Sequence, residues 1–341
     1  MANYKGIKGF KIRSVSSDPT ANLGQVWYNT TSTTIKYDGV GSGAWSTSTS
    51  APAARQRSMG FGTTTAALYT AGQLASGIPD GTSQVSSFAW NGASWTDTTH
   101  DIGTARRGGV GFGTQTDGMI CGGIGPPPST SFVEIYNGSS WTETTEMTTP
   151  RSGFCGGGTT TAGLAAGGES PPGSTYNCES WNGASWTEVG DLQNNRNESS
   201  GSCQGSPAAF IYASGGPAST DPTSCEEYNG TSWAEVSDVN FGCSLNGGNG
   251  TASDMLKYGG VYSSPPVAYY VTNHSESWNG ASWTTVGTLN QGRQMQATQG
   301  VGTGSLGMSI MGATKPANHS VLTHCEEYDG APLLVKTVTA T

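Results

Sequence analysis

Apolar and polar positions along this chain alternate in short bursts. Residues 151–189 show the pattern. SGFCGG is small and apolar, TTTA is a turn, and GLAAGG is small and apolar again. A loop rich in Pro, Ser and Gly follows, then YNCESW, the turn NGAS and WTEV. Short apolar runs bounded by Gly, Asn, Ser and Pro predict brief strands. This stretch predicts four of them in succession.

The pattern recurs. An aromatic residue before Asn-Gly or Asp-Gly falls at Tyr37, Trp90, Tyr136, Trp181, Tyr228, Trp278 and Tyr328, at spacings of 53, 46, 45, 47, 50 and 50 residues. A mid-unit glycine keeps step at Gly72, Gly122, Gly167, Gly215, Gly259 and Gly312, and in four units it is a Gly-Gly pair. Gln73 and Ala313 break that doublet. A period near 45–50 residues with four short strands fits a propeller blade. Six complete units begin near Arg57, Arg107, Arg151, Arg196, Phe241 and Arg293.

The hexapeptide WNGASW occurs three times, with YNGSSW and YNGTSW between its copies. Asn-Gly tolerates the positive φ of a tight hairpin turn. The aromatics that flank the turn are predicted to face each other across the hairpin, each such pair contributing roughly 0.2–1 kcal/mol. Trp90, Trp95, Tyr136, Trp141, Trp181, Trp186, Tyr228, Trp233, Trp278, Trp283 and Tyr328 are therefore expected to be structural rather than a sugar platform. The predicted fold is all-β: a β-propeller of six four-stranded blades, with a seventh possible, and an N-terminal arm. The expected division is 1–50 for the arm and 51–341 for the propeller. Two closures are open. An N-terminal strand could complete the last blade, where Leu333 stands in place of the usual Trp. Alternatively, 1–50 stays separate and PLLVKTV is the last strand.

Composition narrows the function. Gly is 52 of 341 residues and only 11% are charged, which suits strands and turns and disfavours helices. Ten Trp and thirteen Tyr argue for an ordered core. A net charge of −9 argues against nucleic acid as a partner. No apolar run is long enough for a membrane-spanning helix, so no membrane insertion is expected. Seven Cys without CxxC spacing point to reduced, buried thiols rather than a zinc or disulfide framework. The start is basic, with Lys5, Lys8, Lys11 and Arg13 and no acid before residue 14. Together with Trp27, these are candidate anchors of a docking arm for an acidic partner.

Catalytic residues should break a repeat, because scaffold residues recur. Glu226-Glu227 recur as Glu326-Glu327, with Glu179 and Glu276 at the same place, so they read as strand decoration rather than an acid/base pair. Cys178, Cys225 and Cys325 each lie three residues before the marker, again a lattice site. His324 beside Cys325 would point to the opposite face of the strand. Arg106-Arg107 read as a strand start. The four His are scattered, and no metal or cofactor is expected. The loops at 123–131, 168–175, 215–224 and 261–275 all join the second and third strands, so they emerge on one face, where binding usually resides. Tyr262, Tyr269, Tyr270 and His274 in the longest loop are the candidate contacts.

Two resemblances follow from these residues. Arg151, Gly167-Gly168, Tyr228 and Trp233 occupy a pattern that resembles the Kelch motif, over about 285 residues from Arg57 onward. Arg is missing at some unit starts, and the turn between the paired aromatics is short. In the first 50 residues, Asp18-Pro19, Gly24-Gln25, Trp27-Tyr28-Asn29-Thr30-Thr31 and Lys36-Tyr37-Asp38-Gly39 resemble a segment of bacteriophage tail fibres and other virion proteins. A leader of this kind joined to WNGxSW repeats looks like proteins of marine phages. The resemblance implies a non-enzymatic virion protein, assembled in the host cytoplasm and present in several copies per particle. Its arm would meet other virion proteins. Its propeller would meet a host-surface protein or polysaccharide. A lectin-like or glycan-cleaving propeller and a head decoration protein are the alternatives.

Overall fold

The structure, a computed structural model, describes residues 13–17, 26–40, 43–74, 82–125, 129–204, 206–216, 223–264, 267–296, 301–314, 320–330 and 333–337. Every regular element among them is a β-strand, and these residues fall into two compact units, one made of those within 44–329 and the other of those before 44 and after 329.

The larger unit is a six-bladed β-propeller. In the first blade, Met59–Thr63, Ala66–Thr70, Ser87–Trp90 and Trp95–Asp97 pair as an antiparallel meander, strands a to d from the axis outward. The next four blades span 110–143, 155–189, 200–236 and 247–285. In the sixth, Leu306–Ile310 and Cys325–Asp329 are strands b and c, and Val301 and Gly302 bridge at the inner edge. Its strand d is Ala44–Ser48, paired with Cys325–Asp329 in antiparallel register. The N-terminal strand thus closes the ring. Trp45 replaces the tryptophan that the C-terminal segment lacks.

The expected cross-strand pairs form in every blade. Their ring centroids lie 5.1 Å apart for Trp90–Trp95, 5.0 Å for Tyr136–Trp141 and 5.4 Å for Trp181–Trp186. The remaining three are 5.2 Å for Tyr228–Trp233, 5.3 Å for Trp278–Trp283 and 5.3 Å for Trp45–Tyr328. Each Asn of the five Asn-Gly turns accepts two backbone N–H bonds through its side chain, as Asn91 does from Ala93 and Ser94. The turn is thereby nucleated locally. Where the strand c marker is Trp, its indole N–H reaches a carbonyl of the a–b turn, at Thr64, Thr160 or Ala252.

Two closed cycles of backbone hydrogen bonds bind blade to blade. In the outer cycle, the N–H groups of Gly72, Gly123, Gly168, Gly215, Gly260 and Gly312 donate to the carbonyls of Arg106, Arg151, Arg196, Cys243, Arg293 and Arg55 in the following blade. A Cβ on Gly122 would lie 2.6 Å from the Arg151 carbonyl oxygen, so the glycine doublet exists to let the next blade approach. In the inner cycle, Gly108 donates to Arg57, Gly153 to Gly108, Glu198 to Gly153, Leu245 to Glu198, Met295 to Leu245 and Arg57 to Met295. All six have φ between 52° and 67°, and four of them carry side chains there. The hydrogen-bonded cycle over-determines that strained conformation.

The smaller unit is one sheet. Arg13–Val15 pairs in parallel with Val26–Asn29, which pairs with Thr34–Val40, which pairs with Leu333–Thr337. Two expectations change here. Tyr37 marks a strand of this sheet and not a blade. The boundary at residue 50 moves to 43/44, because Ala44–Ser48 finds its partner in Cys325–Asp329 while Leu333–Thr337 finds its own in Thr34–Val40. Trp27 is fully buried, so it holds its own unit together rather than presenting a docking surface.

Candidate functional site

Strand a starts, and strand b ends, on the face that carries the b–c loops and the connectors between blades. The a–b and c–d turns lie on the opposite face. The inner cycle therefore opens onto the b–c loop face, which is the face expected to bind.

The carboxylates that sequence places on strand c are not surface decoration. Glu134, Glu179, Glu226, Glu276 and Glu326 stand two residues before the marker and are buried. Four pair with buried arginines: Arg106–Glu134 at 2.5 Å, Arg151–Glu179 at 2.6 Å, Arg196–Glu226 at 3.0 Å, and Arg293–Glu326. Glu134 also accepts the Gly103 N–H, and each of the others accepts two backbone N–H bonds from the connector that enters its blade, such as Thr148 and Thr149 onto Glu179. Each carboxylate thus fastens a connector to its own blade. Arg106 does more than begin a strand. It is the lattice cation.

Two blades solve the same problem differently. In blade five the arginine position is Cys243, and Lys257, opposite Glu276 on strand b, supplies the charge at 3.9 Å. In blade one Phe88 replaces the carboxylate, and Arg55 lies over the Phe88 and Tyr69 rings. Burial lowers the pKa of Arg55, and also that of Arg293 against the opposing pull of Glu326.

The axis is bridged at both ends, each time between blades one and four. At the b–c face, Arg57 and Glu198 hold opposite positions in the inner cycle and their side chains meet at 2.7 Å. The space beside them, walled also by Phe154, Asn246 and Met295, is a cavity of only about 30 Å³. At the other end, the Gln204 amide donates to the Gly62 carbonyl at 3.0 Å. A cavity of that size holds about one water.

Of the four candidate contacts, the structure brings three together. Val261–Ser264 and Val267–Val271 form a hairpin in the b–c connection of blade five. On it, Tyr262 and Tyr270 stack at 5.5 Å and 24°. Tyr262 packs edge-on against Phe241 at 5.0 Å, and His274 lies 4.9 Å from the same Phe241 ring. Burial lowers the pKa of His274 below its ordinary value. Tyr269 is on the hairpin, but its side chain lies outside the described residues. So do Lys5, Lys8 and Lys11, and the side chain of Arg13. Sequence reasoning missed Phe241 as part of this group. The signal was present: Thr104, Thr149, Asn194 and Gln291 hold the equivalent connector position, so an aromatic there departs from the repeat. Tyr176, 52% exposed before strand c of blade three, was also missed.

The seven cysteines are buried and unpaired by disulfides. Burial pushes the thiols of Cys225 and Cys325 up to about 11 and that of Cys178 to about 12. Such thiols are poor nucleophiles at neutral pH.

No protein-family model matches the chain, and no curated protein does. Among solved structures, that of YjhT is similar to it with a TM-score of 0.67 at 13% sequence identity, over 86% of this chain and 99% of that one. At that identity the likeness shows the propeller fold alone.

Proposed function

We propose that this chain is a non-enzymatic structural protein of a phage particle, whose propeller presents its b–c loop face to a host surface or to other virion proteins. One observation carries the reading. The axial mouth, where a propeller offers a concave site, is filled by the inner cycle and the Arg57–Glu198 pair. The recurring carboxylates are likewise held in buried ion pairs. What stays available is the rim of b–c loops, and among the described residues the hairpin of blade five carries a stacked aromatic pair there. The virion assignment rests on the likeness of residues 18–39 to tail-fibre segments. The smaller sheet, which contains most of that stretch, is the part that would meet the particle.

Immunogold labelling or a particle reconstruction tests this directly. The expected result is density for the propeller at a fixed, repeated site on the virion, and purified protein that slows phage adsorption. Absence from the purified particle would refute it. Turnover of a glycan by the purified protein would favour the glycan-cleaving alternative.

A further inference from the structure

We infer that the Tyr262–Tyr270 pair is a stacking platform for the ring of a neutral sugar. This deepens the proposed function by naming the chemistry that the loop face would recognise, and it rests on that reading.

Two departures from the repeat coincide here and nowhere else among the described residues. Blade five alone inserts a hairpin that holds a stacked aromatic pair, and blade five alone has an aromatic, Phe241, at the second connector position. The Phe241 backbone is pinned, since its N–H donates to Glu276 and its carbonyl accepts from Lys257. Its ring then supports Tyr262 from below and is itself flanked by His274. The platform is thus held by the buried ion-pair lattice, not by the hairpin alone. Pre-set aromatic faces cost little ordering entropy on binding.

Size selects the partner. Tyr270 is 39% exposed, which for a residue of roughly 200 Å² leaves about 80 Å² of accessible surface, shared between ring and backbone. Tyr262, Phe241 and His274 stand behind that one residue, so the described part of the platform offers a single exposed aromatic. It matches one face of a pyranose. Charge selects further. Residues 259–275 contain no Asp, Glu, Lys or Arg in a chain of net charge −9, and the one titratable imidazole among them, His274, is packed on Phe241 with burial disfavouring its charged form. A single platform of this kind binds weakly, and repeated copies on a particle convert weak contacts into avidity.

The test uses the full chain on an array of neutral and acidic oligosaccharides, with saturation-transfer NMR on the hits. The expected result is millimolar binding of neutral hexose or N-acetylhexosamine oligosaccharides. Tyr270→Ala should weaken it at least tenfold, Tyr270→Phe should retain it, and Tyr176→Ala on the same face should leave it unchanged. Equal thermal midpoints for the exposed-site variants would exclude unfolding as the cause. Binding unaffected by Tyr270→Ala, binding confined to acidic glycans, or no binding at millimolar sugar would each overturn the inference. Each of those results leaves the particle-localisation test of the proposed function standing.

Discussion

Blade five offers a direct test of the ion-pair lattice, because its cation comes from a different strand. Lys257 and Glu276 are 2% and 0% exposed and 3.9 Å apart. At an effective dielectric of about 20, their attraction is about 4 kcal/mol. Deleting one member of a buried pair typically costs 3–5 kcal/mol, because the other charge stays buried alone. Glu276 would keep its bonds from the Asn240 and Phe241 N–H groups, so Lys257→Met should cost about 3 kcal/mol. The position across from it is prepared for a different cation. Arg151 donates to the Gly167 and Asn177 carbonyls, and Gly259 and His274 are the equivalent residues around Cys243. Cys243→Arg should therefore destabilise the wild-type chain, where it crowds Lys257, yet stabilise Lys257→Met by at least half of what was lost. Equilibrium urea unfolding followed by tryptophan fluorescence measures all four corners of the cycle. A cost below about 1 kcal/mol for Lys257→Met, or an arginine with the same sign of effect in both backgrounds, would refute the lattice account.

Four further outcomes follow. Trp45→Ala should cost about 3–5 kcal/mol, comparable with Trp283→Ala at the equivalent place in blade five, since both indoles are buried against their blade. A much smaller loss at Trp45 in thermal unfolding would contradict the N-terminal closure. Arg57→Met should cost under about 1 kcal/mol, because its ion pair is about one-fifth exposed and the inner cycle is made by backbone; a loss of several kcal/mol by the same assay would mean that the side chains, not the peptide groups, hold the mouth. Burial pushes the thiols of Cys225 and Cys325 up to about 11 from an ordinary 9.0, so the folded state keeps protons that the unfolded state releases. Their contribution is complete below about pH 9 and is lost as pH rises through 11, so the thermal midpoint should fall across that window. In native buffer at pH 8 a thiol reagent should titrate almost none of the seven cysteines, and all of them in guanidinium.

The repeat was legible because its chemistry is local. Asn-Gly between two aromatics writes a hairpin within six residues, and the glycine doublet writes a close approach. The same locality misled at Tyr37, where a turn signature of the same kind belongs to a strand whose partners are Val26–Asn29 and Leu333–Thr337. The ion pairs were half legible. Arg151 and Glu179, or Arg196 and Glu226, recur at near-constant separation, yet only the fold shows that an incoming connector and strand c of its own blade meet there. Arg57–Glu198 could not have been read at all. It occurs once, across 141 residues, and nothing local distinguishes Glu198 from any other loop acid.

What repeats in this chain maintains the ring, so the differences between blades are where selection for a role can act. The two axial bridges, Arg57–Glu198 and Gln204–Gly62, join the same opposed blades, and the cavity beside the first has a volume of only about 30 Å³. The b–c connections leave strand b at glycines already fixed by the outer cycle. Blade five exploits this. Its hairpin begins at Val261, directly after the Gly259-Gly260 doublet that donates to Arg293, and ends before Ser275, where strand c resumes. An insertion between two fixed ends can change length and sequence without disturbing either cycle. That is why the aromatic pair is found there and not on the tryptophan lattice, which every blade needs intact.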